Sequence, residues 1–366
     1  MAEFSPALRD IVPYEPGKPV EEVQRELGIE RVVKLASNEG PYGPFPAALD
    51  AIARAAQELN RYPDGGAYRL REGLAARHEV AFENVITGAG ADGMIDALSQ
   101  VFLAPGDEVV CGWPSFVSYV IDARKLGATP RLVPLRDHRY DLEAMLAAIG
   151  PRTKLAYICL PNNPTGTMNA RSEIDAWFEQ VPDHVVTVVD QAYAEYIDDP
   201  EYVDAVAEYF EHGRNVVVLR TFSKTYGLAG LRVGYAVAPA AVVTELSKVR
   251  RAFDVSTPAQ EAALASLSHP DELRRRRELN EAGRSELERI LAAHGLDPVP
   301  GAVANFVYVE LGEDSRPFQE RLLREGAIVR PTHGFGGPEA IRVTVGTPDE
   351  LRFFDGALGR VKAPVG

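Results

Sequence analysis

Over its first two thirds the chain alternates between short apolar runs and amphipathic stretches. Six runs are rich in β-branched and aliphatic residues, at 84–87, 108–111, 155–160, 184–189, 216–219 and 233–237. Their length and their Gly, Pro, Asn and Asp flanks fit strands buried on both faces. Several are separated by stretches with the apolar spacing of helices. Such alternation predicts a mostly parallel sheet with helices on both faces, the doubly wound α/β architecture. After about residue 245 long charged helices take over, 272–292 being the clearest, followed by short strands at 305–309 and 340–345. That change predicts a smaller α+β domain. The first forty or so residues are rich in Pro and Gly and read as an arm that crosses other structure before a helix at 46–58. The expected division is an arm over 1–45, a large α/β domain over 46–245 and a small α+β domain over 246–366.

In open parallel sheets the ligand site lies beyond the carboxyl ends of the strands. The segments following five of the predicted strands are GAGADG, GWPSF, PNNPTG, DQAY and RTFSKTYGLAGLR. They offer glycine-rich turns, an aromatic, an amide, a carboxylate, a phenol and a lysine. GAGADG, residues 88–93, matches the dinucleotide fingerprint GxGxxG between a strand and a helix. A nicotinamide-dependent dehydrogenase also needs an acidic residue ending the next strand, but here Asp107 and Glu108 begin it. What remains is a seat for one phosphate, formed by free N–H groups around Ala91 and Asp92 at a helix N-terminus. The alternative is a tight turn with no ligand.

Lys224 follows the run VVVLRTF and precedes a glycine-rich turn, with Ser223 and Arg232 nearby. An isolated lysine is ordinarily a surface charge. At a strand end, partial burial and neighbouring cations lower its pKa toward the neutral amine that forms an imine with an aldehyde. Asp190 ends an almost unbroken apolar strand, where a carboxylate needs a cationic partner such as a protonated pyridine nitrogen. A helix N-cap is the alternative reading. Asn163 and Tyr193 are placed to reach a ring phenolate oxygen.

The formal charge of -14 opposes binding to nucleic acid. Cys111 and Cys159 lie in apolar runs and read as buried free thiols, which fits a reducing cytoplasm. The N-terminal segment lacks the basic start and apolar core of a secretory signal, and no stretch has the length of a membrane span. HxxxH, HExxH and GxSxG are absent, so no metal or serine-hydrolase site is expected. The basic run 274–277 is flanked by Glu272, Glu278 and Glu281 and reads as a solvated helix face.

Together these segments resemble the fold-type I pyridoxal-phosphate aminotransferases, and within them the histidinol-phosphate aminotransferase family. The resemblance runs from KLASNEGPYGP at Lys34 to IRVTVGTPDE ending at Glu350. It implies pyridoxal 5'-phosphate as cofactor, with Lys224 as the Schiff-base lysine, Asp190 as the pyridinium partner, and Asn163 and Tyr193 as ligands of the ring oxygen. Ser223, Arg232, Ala91 and Asp92 would bind the cofactor phosphate, and Phe116 would stack on the ring. Tyr62, in NRYPD, occupies the position of a tyrosine contributed by the neighbouring subunit, which implies a homodimer whose partner packs against the arm. Arg342 matches the substrate-anion arginine, with Arg330 as its companion and Tyr14 and Asn38 lining the entrance. The implied reaction is a ping-pong transamination from a small-molecule amino donor to 2-oxoglutarate, with Lys224 moving the proton. Two positions depart from the family pattern, Gly93 for a glutamate and Gln191 in DQAY, and neither removes a group the chemistry needs. An aromatic amino-acid aminotransferase, a related decarboxylase and a non-catalytic pyridoxal-phosphate protein are the neighbouring alternatives, and a nicotinamide-dependent dehydrogenase is the rival of a different class.

Overall fold

The computed structural model describes residues 4–9, 11–14 and 16–362. Eleven strands form two sheets: β1 Val33–Leu35, β2 Val85–Gly88, β3 Glu108–Trp113, β4 Thr129–Pro134, β5 Thr153–Cys159, β6 Val186–Asp190, β7 Val216–Thr221, β8 Gly234–Val237, β9 Phe306–Glu310, β10 Ala327–Thr332 and β11 Gly337–Thr344. The larger sheet has the order β2-β8-β7-β6-β5-β3-β4, and the smaller one β1-β10-β11-β9. In the large sheet only β8 runs antiparallel to its neighbours, as the predicted alternation of strands and helices requires. All six apolar runs became strands of it, shifted at their ends by a residue or two.

Three strands escape the hydrophobic pattern, each for a physical reason. The strand β4 lies at the sheet edge, carries Pro130 and Pro134, and fully buries only Val133 of its six residues. An edge tolerates proline because the missing N–H would have faced solvent. In β10 the apolar run is broken by Arg330 and Pro331, where the register with β11 also shifts. The third, β1, comes from the segment read as an arm and pairs parallel with β10, so part of that arm belongs to the small sheet.

One apolar cluster surrounds the large sheet and continues through Val255, Ala259 and Ala263 to Leu273, past the expected limit near 245. It does so because helix Thr257–Leu267 packs on helix Pro46–Ala55, and both present small buried alanines that allow close approach. A second cluster joins Val33 and Leu35 to Leu287, Ile290, Val307, Ile341 and Phe354. The basic run 274–277 also needs a correction. Arg274 and Arg275 form surface pairs with Asp271 and Glu272, as a solvated face would. Arg276 is instead buried, donating to the carbonyls of Gly43 at 2.5 Å and Thr225 at 3.1 Å, with its guanidinium over Phe45. Its stem and planar head cover apolar surface while the donors satisfy loop carbonyls. No helix among the described residues is long and apolar enough to cross a membrane.

Candidate active site

A cavity of about 880 Å³ opens where the carboxyl ends of β2, β3, β5, β6 and β7 meet the small sheet. Its walls include Ala91 and Asp92 after β2, Phe116 after β3, Asn163 after β5, Asp190 and Tyr193 at and after β6, and Ser223 and Lys224 after β7. Arg232 closes one end, and Tyr14, Asn38 and Arg342 reach the other. Twelve of the fourteen candidate residues thus line one space, although they come from segments as far apart in sequence as Tyr14 and Arg342.

At one end the N-terminus of helix Gly90–Phe102 carries N–H groups that have no partner within the helix. Beside it, Arg232 donates to Ser223 Oγ at 3.4 Å and to the carbonyls of Ala229 and Ala89 at 3.0 and 3.5 Å. Arg232 holds φ at 54°, a left-handed conformation that arginine seldom adopts, which aims the guanidinium at this corner. Helix dipole, hydroxyl and guanidinium together form a seat for a dianionic phosphate. The seat depends on Gly234 of β8, where a Cβ would lie 2.6 Å from the Ala91 nitrogen. Gly234→Ala is therefore expected to push the helix terminus outward and weaken binding of a phosphate-bearing ligand by about 10²-fold. Unchanged affinity by titration would place the phosphate elsewhere.

Opposite the seat lies Asp190, 3% exposed. Its Oδ1 accepts the Ala192 N–H at 3.1 Å and its Oδ2 accepts the Tyr119 hydroxyl at 2.7 Å. Burial pushes the carboxyl above its ordinary value, while those two donors and the Lys224 charge pull it back. The described residues offer it no ion pair, so the carboxylate faces the cavity without a cationic partner.

Lys224 is fixed through its backbone. Its carbonyl accepts from Gly227 at 2.9 Å, Arg276 holds the next carbonyl, and Gly227 at φ 71° leaves no room for a Cβ beside the Gly43 carbonyl. The side chain is partly buried, with Nζ 3.4 Å from the Ser37 carbonyl and 5.5 Å from the Tyr193 ring centre. Burial first, then the charges of Arg342 and Arg232, lower its pKa to about 8. An amine with its pKa lowered this far, next to a buried carboxylate and a phosphate seat, is equipped to capture an aldehyde.

At the far end Arg342 is 3% exposed and donates to Asn163 Oδ1 and, at 2.7 Å, to the Ala36 carbonyl. Burial, then nearby Arg330, lowers its pKa to about 10. Arg330 does not itself line the cavity. Its guanidinium stacks 5.0 Å from the Tyr14 ring and 5.3 Å from Phe335, and Arg342 lies at the same 5.3 Å from Phe335. Both Nε atoms are buried without a hydrogen-bond partner, and neither arginine has an acidic partner among the described residues. Two unneutralised guanidiniums at one aromatic ring make an anion site. Asn38, at φ 54°, donates to the Tyr193 hydroxyl at 3.0 Å and so ties β1's trailing loop to the ring wall.

Tyr62 is the other candidate outside this cavity: it is 81% exposed and stacks on Phe253 at 4.6 Å. Sequence reasoning missed Tyr119 and Phe335. Tyr119 had a faint signal, an aromatic three residues after Phe116 at a helix start; Phe335 had none, since its short turn follows no motif. No group of three or more His, Cys, Asp or Glu among the described residues is arranged to hold a metal.

Comparisons with known proteins agree with this geometry. Residues 30–354 match the family described as aminotransferase class I and II. A histidinol-phosphate aminotransferase of Moorella thermoacetica is 45% identical over 98% of this chain and 92% of its own length. Histidinol-phosphate aminotransferase 2 of Pseudomonas aeruginosa is 43% identical over 99% and 98%. Among solved structures, the histidinol-phosphate aminotransferase of Sinorhizobium meliloti in complex with pyridoxal-5'-phosphate superposes with a TM-score of 0.89 at 28% identity, over 100% of this chain and 99% of that one. With a match that runs through both apolar clusters and both sheets, the chain belongs to the aminotransferase class I and II family.

Proposed function

We propose that this enzyme transfers the amino group of histidinol phosphate to 2-oxoglutarate, using pyridoxal 5'-phosphate held at the carboxyl ends of the large sheet. The cavity fits that cofactor on its own terms. It offers a phosphate seat at Ala91, Asp92, Ser223 and Arg232, a lysine amine, an aromatic wall at Phe116, and a buried carboxylate that lacks a cation. Asn163 and Tyr193 line the same cavity and would meet the ring oxygen. When bound, pyridoxal phosphate supplies an electron sink for negative charge developing at the donor's α-carbon.

The chain's own groups do the rest. Lys224 would hold the aldehyde and, with its amine free, would accept the proton from the donor's α-carbon and return it, because its lowered pKa makes the neutral amine accessible. Asp190 would hold a proton on the ring nitrogen through its unneutralised charge. Arg342, in the cavity wall, binds the anionic end of the donor and then one carboxylate of the oxo acid, and Arg330, across Phe335, adds its positive charge to that end. The observation that supports the substrate reading is this buried pair: two guanidiniums without acidic partners among the described residues favour the more highly charged donor, and histidinol phosphate brings a phosphate monoester. Phenylalanine would bring a single carboxylate. The names of the full-length relatives support the same choice.

A homodimer is part of this reading. Tyr62 and Phe253 stack as an exposed aromatic pair, and Tyr62 would complete the phosphate seat of the other subunit. The two buried free thiols, Cys111 and Cys159, favour the cytoplasm.

The test is a spectrum of the purified protein before and after each donor. A visible band that histidinol phosphate bleaches in one turnover, and phenylalanine does not, supports both cofactor and substrate. A colourless protein after reconstitution overturns the reading, and bleaching by phenylalanine alone replaces the substrate. A pH prediction accompanies it. Because burial lowers the Lys224 pKa, the neutral amine gains population as pH rises through about 8. Capture of pyridoxal phosphate by the cofactor-free protein should therefore accelerate across that value and level off above it. Stopped-flow rates that are flat across it would assign the captured aldehyde to another amine.

A further inference from the structure

We propose that Tyr119 is a positioning residue for Asp190: its hydroxyl keeps that carboxylate ionised and turned toward the ring nitrogen of the cofactor. The inference rests on the pyridoxal-phosphate reading and adds a residue to it. Asp190 is deeply buried and has two hydrogen-bond donors among the described residues, the Ala192 N–H on Oδ1 and the Tyr119 O–H on Oδ2 at 2.7 Å. The first is backbone and is present whatever the side chains are. The second is the one donor a substitution can remove.

The chemistry of that donor matters. An arginine or lysine in its place would neutralise the carboxylate and compete with the protonated ring for it. A phenol stabilises the anion through a charge-assisted hydrogen bond while leaving its full negative charge available. Burial holds the Tyr119 phenol well above its ordinary pKa, so the proton stays on the tyrosine and the carboxylate is the acceptor. The ring cannot turn away. It stacks on Tyr157 with centroids 4.3 Å apart and planes 12° from parallel, and meets the edge of Phe116 at 5.7 Å. Tyr119 lies on helix Ser118–Lys125, three residues beyond Phe116 in the cavity wall. One short segment thus supplies both the face beside the ring and the support behind the carboxylate.

If Tyr119 were only filling space, Tyr119→Phe would change nothing at the cofactor, since stack and edge contact are kept. The test uses holoenzyme reconstituted with pyridoxal phosphate labelled with 15N in the ring, comparing wild type, Tyr119→Phe, Tyr157→Phe and Tyr119→3-fluorotyrosine. Tyr157→Phe removes a phenol from the same stack that makes no hydrogen bond to Asp190, and 3-fluorotyrosine keeps the donor. In Tyr119→Phe the ring-nitrogen resonance is expected to move toward the unprotonated position, and the maximal half-reaction rate to fall about tenfold with donor KM within about twofold. The other two variants should keep the wild-type resonance and rate.

An unchanged resonance in Tyr119→Phe, or an equal displacement in Tyr157→Phe, would overturn the proposal while the cofactor reading stands. A wild-type protein that takes up no labelled cofactor would overturn both, and it is told apart because it needs no variant. Loss of the signal in Tyr119→Phe through misfolding is separated by Tyr119→3-fluorotyrosine, in which a displaced resonance counts against the proposal.

Discussion

Lys224→Ala is expected to lower the rate of amino transfer by roughly 10⁴-fold, the upper range for loss of a positioned proton carrier. That corresponds to about 5 kcal/mol of barrier. The size follows from the site: one amine serves as anchor and as base, and among the described residues no second lysine lines the cavity near Asp190, Lys125 being engaged by the Asp122 carboxylate at 2.5 Å. The fold should survive, because what holds this turn is backbone: the Gly227 N–H and the packing at Gly40 both engage the Lys224 carbonyl, which alanine retains. The phosphate seat is also untouched, so the variant should bind the cofactor without a covalent link. Single-turnover measurements with histidinol phosphate check this, with and without a small primary amine added to replace the missing group. A variant within tenfold of wild type would remove Lys224 from the mechanism.

The second large effect is expected at Asp190, for a different reason. Asp190→Asn keeps the shape and loses the charge, so it should lower the maximal rate by about 10²- to 10³-fold, the range for a preorganised electrostatic group, with little change in donor KM. The amide would also present an N–H donor to the ring nitrogen or to Tyr119, which disfavours a protonated ring in the first case and leaves a donor facing a donor in the second. Stability should move the other way. Burial raises the Asp190 carboxyl above its ordinary pKa, which means the folded chain holds this charge at a cost. The cofactor-free Asn variant is therefore expected to melt at or above the wild-type temperature, a trade of stability for chemistry at a site of this kind. A variant that lost stability but kept its rate would show that Asp190 is structural, the helix-cap alternative that its sequence position also allowed.

Several features were legible in the linear chain because they depend on local periodicity. Apolar runs of four to six residues, rich in β-branched residues and flanked by turn formers, fit interior strands, and in a parallel sheet the polar residues that end them share one edge. That logic brought Asn163, Asp190 and Lys224 together without any tertiary information. It failed where burial is set by partners distant in sequence. Arg276 looked like one of four exposed arginines until helix Pro270–Ala293 turned it onto Gly43 and Thr225. The edge strand β4 carried no apolar signal because it buries little.

The sequence by itself determined six of the seven strands of the large sheet, the identity of the groups at its carboxyl edge and the family resemblance, since each rests on short motifs whose chemistry survives any small change of packing. Only the tertiary structure decided how those groups are tuned. The donor behind Asp190 comes from a helix seventy-one positions upstream, and the two arginines meet at Phe335 only because β10 and β11 pair as neighbours in the small sheet. Pairing of that kind is a long-range event, and its energy depends on burial and on the number of donors left unsatisfied, neither of which is written in the spacing of residues along the chain.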